Sequence, residues 1–326
     1  MRFLATAITF LSLTADCLPA PGGHVVDAIS DEFDTLKPMW GPGLRGMPEF
    51  LTIQNGILSI RSIDDGDDNY PSAEDMICTY SNQIGRSLDA SEAPSLVACV
   101  WLPPFNEWPT GTNASDFREW FGVRVTACDS GQPFFGGLYW PGIYIANDEA
   151  GPCLIARVGD GYGPDTTIGR INTAGWWTLG LSWNAEGRTE YYAAPGRGAL
   201  TSNDLLHTTP TVSLPEANRS IDQLVGSFIA LRMTYPPTGR LSTDWRMDSI
   251  RIYVNTPPAL PLIAPSLHAK SFRLDITGCE RGFRYLLQGT RNLVDWSPIE
   301  DIVSDGGTWI FEEPASTHRF YRVARP

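Results

Sequence analysis

Apolar and polar positions alternate with a period of two, or fall into short apolar runs, along most of this chain. "WFGVRVTAC", "GIYIAN", "CLIARVG", "WWTLGLSWNAEGRTEYYAA", "SFIALRMTY" and "WRMDSIRIYVN" carry this strand pattern, and clusters of Gly, Pro, Asn and Asp separate them. In "LTIQNGILSIRS" two such runs flank Asn55-Gly56, which predicts a tight hairpin. No stretch sustains a helical period, and "TSNDLLHT" offers one turn or two. Many strands without intervening helices predict an all-β sandwich or jelly roll. "NTPPALPLIAPS" contains four prolines and reads as an extended spacer. It divides the chain into a large β-domain over 27–255, a linker over 256–266 and a smaller β-sandwich over 267–326.

The same alternation assigns faces. In 117–125, Glu119, Phe121, Val123 and Val125 share the side that wants burial, and Arg118, Trp120, Gly122 and Arg124 share the other. In "WWTLGLSW", Trp177, Leu179, Leu181 and Trp183 read as core, leaving Trp176, Thr178 and Ser182 opposite. In "SFIALRMTY", Ile229, Leu231 and Met233 read as core, leaving Phe228, Arg232 and Thr234 opposite. On these phases Arg118, Trp120, Arg124, Trp176 and Arg232 line one groove. Its indoles would stack on sugar rings and its guanidinium groups would fork onto a carboxylate or sulfate, which suits an acidic polysaccharide. The competing reading has these arginines facing solvent and pairing with nearby carboxylates. Tyr191 and Tyr192 either line the groove or fill the sheet.

Composition narrows the partners. The 326 residues carry a net charge of -13 with a pI near 4.7, which argues against nucleic acid, whose phosphates need a basic surface. Hydrophobic content of 42% against 19% charged supports a packed core. Arg2 followed by the apolar run Phe3–Leu13 has the form of a secretory signal over 1–20, so export is expected, and no later segment is apolar enough to be transmembrane. Six cysteines are present, and removing the leader takes Cys17 and leaves an odd number. Disulfides such as Cys128–Cys153 or Cys78–Cys99, and simple buried thiols, both remain open. His24, His207, His268 and His318 have no zinc-ligand spacing. The acidic run at 63–75 reads as a solvated loop rather than an EF-hand calcium site.

Two segments carry a resemblance. "DEFDTLKPMW" at 31–40 resembles the first strand of concanavalin A-like lectin/glucanase domains, and "WRMDSIRIYV" at 245–254 is similar to their last. The resemblance implies two curved antiparallel sheets in a jelly-roll sandwich, a glycan groove on the concave face, and paired first and last strands. It also implies a structural calcium ion, for which Asp31, Asp34 and Asp248 are the candidates, with a strand-end cap as the other role for Asp248. Family-16 glucanases of this fold carry Glu-x-Asp-x-x-Glu on one strand, and that motif is absent here. The nearest glutamate, Glu119, falls in the core phase. The implied function is therefore secreted, lectin-like carbohydrate binding. Two alternatives stand beside it: a polysaccharide hydrolase or lyase with a different site, for which no spacing singles out a Tyr/His/Arg set and His207 is the only histidine inside the large domain away from its N-terminus, and a structural or adhesive surface protein. The C-terminal stretch, with Tyr285, Thr290, Asn292, Leu293 and Trp296 and a closing "RFYRV", is similar to small β-modules of secreted bacterial proteins. There these residues would be core, and the module would tether.

Overall fold

The Asn55-Gly56 turn forms as the pattern predicts. Both residues sit at positive φ, 53° and 71°, and they join Leu51–Gln54 to Ile57–Ile60 in register. The computed structural model describes residues 23–35, 37, 41–42, 51–60, 73–79, 88–89, 92–107, 117–126, 141–148, 150–157, 166–184, 186, 188–209, 220–221, 225–234, 245–255, 261–268, 271–314 and 320–325. Residues 1–20, where a leader is expected, the acidic residues 63–72, the Gly-rich 158–165 and Cys128 lie outside the described residues. Among the described residues no helix is long and apolar enough to cross a membrane.

Two antiparallel sheets make the larger part. The first runs Leu205–Thr208, Thr189–Pro195, Gly175–Trp183, Ser95–Leu102, Trp245–Val254, Ile57–Ile60 and Leu51–Gln54, with His24–Val25 also paired to Trp245–Val254. The second runs Thr166–Arg170, Gly151–Arg157, Gly142–Asp148, Phe117–Thr126, Val225–Thr234, Ala73–Thr79 and Gly41–Pro42. Alternate residues of the two sheets meet in one core: Leu96, Ala98 and Val100 with Trp177, Leu179, Leu181 and Trp183 from the first, Ile143, Ile145, Leu154 and Ala156 from the second. The core phase read for 177–183 is the observed one. The chain's first and last strands of this unit pair, and Asp31 adds a bridge to Ile250.

Residues 262–324 form two three-stranded sheets. Here the structure corrects the linker boundary, because Leu262–His268 is a strand paired to Ser271–Thr277. Pro265 is tolerated because this strand is at the sheet's edge, where one side needs no ladder donor. The Thr-x-Asn-Leu motif is also corrected. Thr290 Oγ1 accepts from the Asn292 and Leu293 N–H groups, and Asn292 Oδ1 accepts from those of Val294 and Asp295. The motif builds a turn, and Leu293 stands exposed at φ 63° rather than in the core. Phe320 is likewise exposed, while Tyr285 is fully buried.

The two parts meet at the 3₁₀ turn Asp27–Ile29. Ala28 donates to the Gly282 carbonyl at 2.9 Å, and Asp27 accepts from the Arg284 N–H at 3.1 Å and lies 3.4 Å from its guanidinium. Burial raises the Asp27 carboxyl above its ordinary 3.8 despite the opposing charges of Arg284 and Lys37.

A strap crosses the outward face of the first sheet. After Thr189–Pro195 the chain turns at Gly196, φ 95°, and runs back over Trp176, Thr178 and Gly180. The fully buried Thr178 hydroxyl donates to the carbonyls of Gly196 and Gly198, 3.0 and 3.1 Å away. Leu200 then drops onto the sheet beside Val97, Cys99 and Tyr253. It occupies the space above Gly180, where any Cβ would run into its Cδ1. Cys99 thus faces the strap, 3.6 Å from the Thr178 hydroxyl, and Cys78 lies in the other sheet. Cys78–Cys99 pairing is therefore ruled out, since the first sheet stands between the outward Cys99 and the second.

Two measurements check these contacts. Thr178→Val removes the donor to two strap carbonyls, so the urea midpoint should fall by the equivalent of about 0.5–1.5 kcal/mol; an unchanged midpoint would show that the strap does not depend on this hydroxyl. Asp27→Asn keeps an acceptor for the Arg284 N–H and removes a charge that burial disfavours. With its folded pKa above the unfolded one, Asp27 binds protons more readily in the native state, so wild-type stability falls as pH rises through the window just above 3.8. Relative to wild type, the variant should therefore gain stability across that window, and a loss would contradict the assignment.

Candidate functional site

The strap divides the outward face of the first sheet into two compartments. On one side the hairpin of Gly175–Trp183 and Thr189–Pro195 places Ser182 directly opposite Glu190 and Gly180 opposite Tyr192. Because the intervening residues Leu181, Trp183 and Tyr191 are committed to the core, these side chains are held outward. Together with Ala93, Ser95, Val97, Asn184, Leu200, Thr201 and Ser202 they line a pocket of about 520 Å³. That volume is in the range of roughly 300–1,000 Å³ typical of small-molecule sites.

The pocket is organised around one carboxylate. Glu190 accepts from Ser182 Oγ at 3.2 Å, from Asn184 Nδ2 at 3.2 Å and from the Tyr192 hydroxyl at 2.5 Å. Asn184 is fixed in turn, its Oδ1 accepting from the N–H groups of Glu186 and Arg188. Burial, then the hydrogen bond to Glu190 and its charge, push the Tyr192 phenol far above its ordinary pKa, so it stays a proton donor to Glu190. Val97 and Leu200, both buried, give the pocket an apolar floor against this polar wall. On the strap side, Thr201 and Asp204 close a capping box, with the Thr201 N–H and hydroxyl donating to Asp204 at 2.6 and 2.8 Å. Among the described lining residues Glu190 is the single carboxylate.

Beyond the strap, Trp101 and Trp176 are cross-strand partners. The Arg246 guanidinium lies 4.6 Å from the Trp101 ring centroid and that of Arg197 lies 3.7 Å from Trp176. Arg197 also reaches Asp248 at 3.2 Å. Asp248 is the extra residue of a β-bulge between Met247 and Ser249, which turns it out toward the strap.

The structure separates the residues that the sequence grouped. Trp176 faces outward as expected, but its arginine partner is Arg197. Arg118, Trp120 and Arg124 belong to the second sheet, where Gly122 pairs Tyr144 and Arg124 pairs Gly142. Phe121 and Val123 pair Ile145 and Ile143, whereas Trp176 stands on Gly175–Trp183 of the first sheet. Arg232, on Val225–Thr234 of the same second sheet, pairs Glu119, and Leu231 pairs Trp120. The strand 225–234 has apolar residues in both phases, so alternation alone had no way to choose between them.

The aspartates proposed for calcium are engaged separately. Asp31 is buried and accepts from the N–H groups of Phe33 at 2.8 Å and Lys37 at 3.3 Å. Asp34 is exposed beside Gly56, and Asp248 pairs with Arg197. Among the described residues no three His, Cys, Asp or Glu side chains converge as a metal set. The Glu190 cluster itself went unread. The signal for it was present: in "TEYYAA", Tyr191 takes the core phase, its hydroxyl donating to the Arg157 carbonyl, which leaves Glu190 and Tyr192 outward with Ser182 across the hairpin.

No family profile and no curated protein matches the sequence. Among solved structures the chain is similar to the carbohydrate recognition domain of Emp47p, at 12% identity over 72% of this chain and 98% of that one, TM-score 0.44. It is similar to a pseudo beta-1,3-glucanase of Mycobacterium tuberculosis, at 12% identity over 74% of this chain and 95% of that one, TM-score 0.40. It is also similar to porphyranase B from Zobellia galactanivorans, at 9% identity over 71% of this chain and 92% of that one, TM-score 0.39. At these values the fold assignment rests on the sheet order and the shared core described above.

Proposed function

We propose that the protein binds carbohydrate without cleaving it, through the pocket around Glu190. The observation that carries this reading is the state of that carboxylate. Three side-chain donors of the protein hold it in one orientation beside a pocket with an apolar floor, an arrangement suited to fixing a hydroxylated ring with one less polar face. Glycoside hydrolysis needs two carboxyl groups facing one bond, about 5–5.5 Å apart for retention and about 6.5–9.5 Å apart for inversion. The described pocket offers one, and that one is occupied by Ser182, Asn184 and Tyr192. A Tyr/His/Arg lyase set is not supported here either, because the Tyr192 hydroxyl is tied to Glu190 and held in its protonated form. The leader at 1–20 makes the natural setting extracellular in this reading, and the small C-terminal unit would hold the binding domain at its place of work.

Affinity electrophoresis tests this on gels containing laminarin, agarose or hydroxyethyl cellulose. At least one gel should retard the wild type. Glu190→Gln and Tyr192→Phe should each weaken retardation by roughly tenfold or more, as expected for losing a hydrogen bond to a charged group. Arg246→Ala, across the strap, should leave it unchanged. Release of new reducing ends from any of these polysaccharides would contradict the non-cleaving reading.

A further inference from the structure

The direction of the hydrogen bonds around Glu190 sets what the pocket accepts. A serine or tyrosine hydroxyl has one proton to give, and a carboxylate has none. Tyr192 spends that proton on Glu190, and Ser182 spends its own between Glu190 and the Tyr192 oxygen. Asn184 spends one of its two amide protons there, and its carbonyl oxygen is saturated by the Glu186 and Arg188 N–H groups. Thr201 spends its hydroxyl proton on Asp204. What this wall turns toward a ligand is therefore lone pairs: those left on the Glu190 oxygens, on Ser182 Oγ and on the Tyr192 hydroxyl. One Asn184 amide proton and the hydroxyls of Ser95 and Ser202 are the remaining side-chain donors this wall can turn toward a ligand among the described lining residues; the Trp183 indole N–H also has no partner, but it is buried with its ring on the core side.

From this inventory we infer that the pocket selects sugar units that present hydrogen-bond donors, hydroxyl or protonated amino groups, and rejects units bearing a carboxylate or sulfate. The inference rests on the carbohydrate-binding reading and names the ligand class of the same site. The carboxylate of a uronate, or a sulfate ester group, would bring only acceptors to a wall of acceptors and set its charge against Glu190 in a partly desolvated pocket. A neutral ring would give its hydroxyl protons to Glu190, Ser182 and Tyr192 and lay its less polar face on Val97 and Leu200. An amino sugar would do the same with a charge-assisted bond to Glu190. This reverses the acidic-polysaccharide expectation drawn from the arginines. Arg118, Arg124 and Arg232 lie on strands of the second sheet, and Arg197 and Arg246 lie across the strap.

The test uses the full chain on matched matrices. Each of laminarin, agarose and hydroxyethyl cellulose is cast in native form and after oxidation of its C6 hydroxyls to carboxylates, and a chitosan gel supplies the protonated amine. The expected result is retardation on a native matrix, on chitosan or on both, and at least tenfold weaker retardation on the oxidised partner. The native and chitosan arms separate hydroxyl from ammonium recognition. Glu190→Gln, which puts a donor where the carboxylate was, should lower affinity for the native matrix and narrow the gap to the oxidised one; thermal melts confirm that the variant is folded. Equal or stronger retardation on an oxidised matrix would overturn the selectivity while leaving carbohydrate binding intact. An unnarrowed gap in Glu190→Gln would also overturn it, by removing Glu190 as the cause. Retardation on no matrix at all would overturn the binding reading itself.

Discussion

The strap rests on the first sheet through one short complementarity: a hydroxyl at 178 and no side chain at 180. The buried Thr178 hydroxyl donates to the carbonyls of Gly196 and Gly198, and Gly180 leaves room for Leu200. Both positions face outward only because Trp177, Leu179 and Leu181 are drawn into the core between the sheets. Hydrophobic burial on one side of a single strand thereby fixes the geometry of a polar site on the other. Remove the strap and the pocket loses Leu200, Thr201 and Ser202 from its lining, and the Trp101–Trp176 surface loses Arg197 and its link to Asp248.

The Glu190 wall is similarly indirect. None of Ser182, Asn184, Glu190 and Tyr192 is unusual alone, and each is half-buried. Their convergence follows from the register that sets Ser182 against Glu190 across a hairpin. The donors all turn inward onto the carboxylate, so the cluster is finished before a ligand arrives, and little has to be reorganised on binding.

These dependences explain what could be read from the sequence. The strand 175–183 was legible because its core positions are uniformly large and apolar and its outward ones are not. The hairpin at Asn55-Gly56 was legible because positive φ at two successive residues leaves few other choices. The strand 225–234 was not, since Phe228 and Ala230 compete with Ile229, Leu231 and Met233 and only pairing to 117–126 breaks the tie. Nor does any sequence feature say which sheet a strand joins, so the strands of Trp120 and Trp176 looked like neighbours while belonging to different sheets. Leu262–His268 was hidden by its proline, which an edge strand accommodates. Glu190 escaped for a different reason: paired carboxylates and clustered basic residues stand out in a sequence, and this site is one carboxylate surrounded by its own donors.

The structure therefore points away from the concentration of arginines and toward a small pocket whose polarity is set by where protons are spent. The most direct measurement is a crystal structure of the protein soaked with an oligosaccharide of whichever matrix retards it. Sugar hydroxyls within hydrogen-bonding distance of the Glu190 carboxylate, with the ring against Leu200, would be the expected result. The same oligosaccharide bound on the outward face of the second sheet, with the Glu190 pocket empty, would contradict the account.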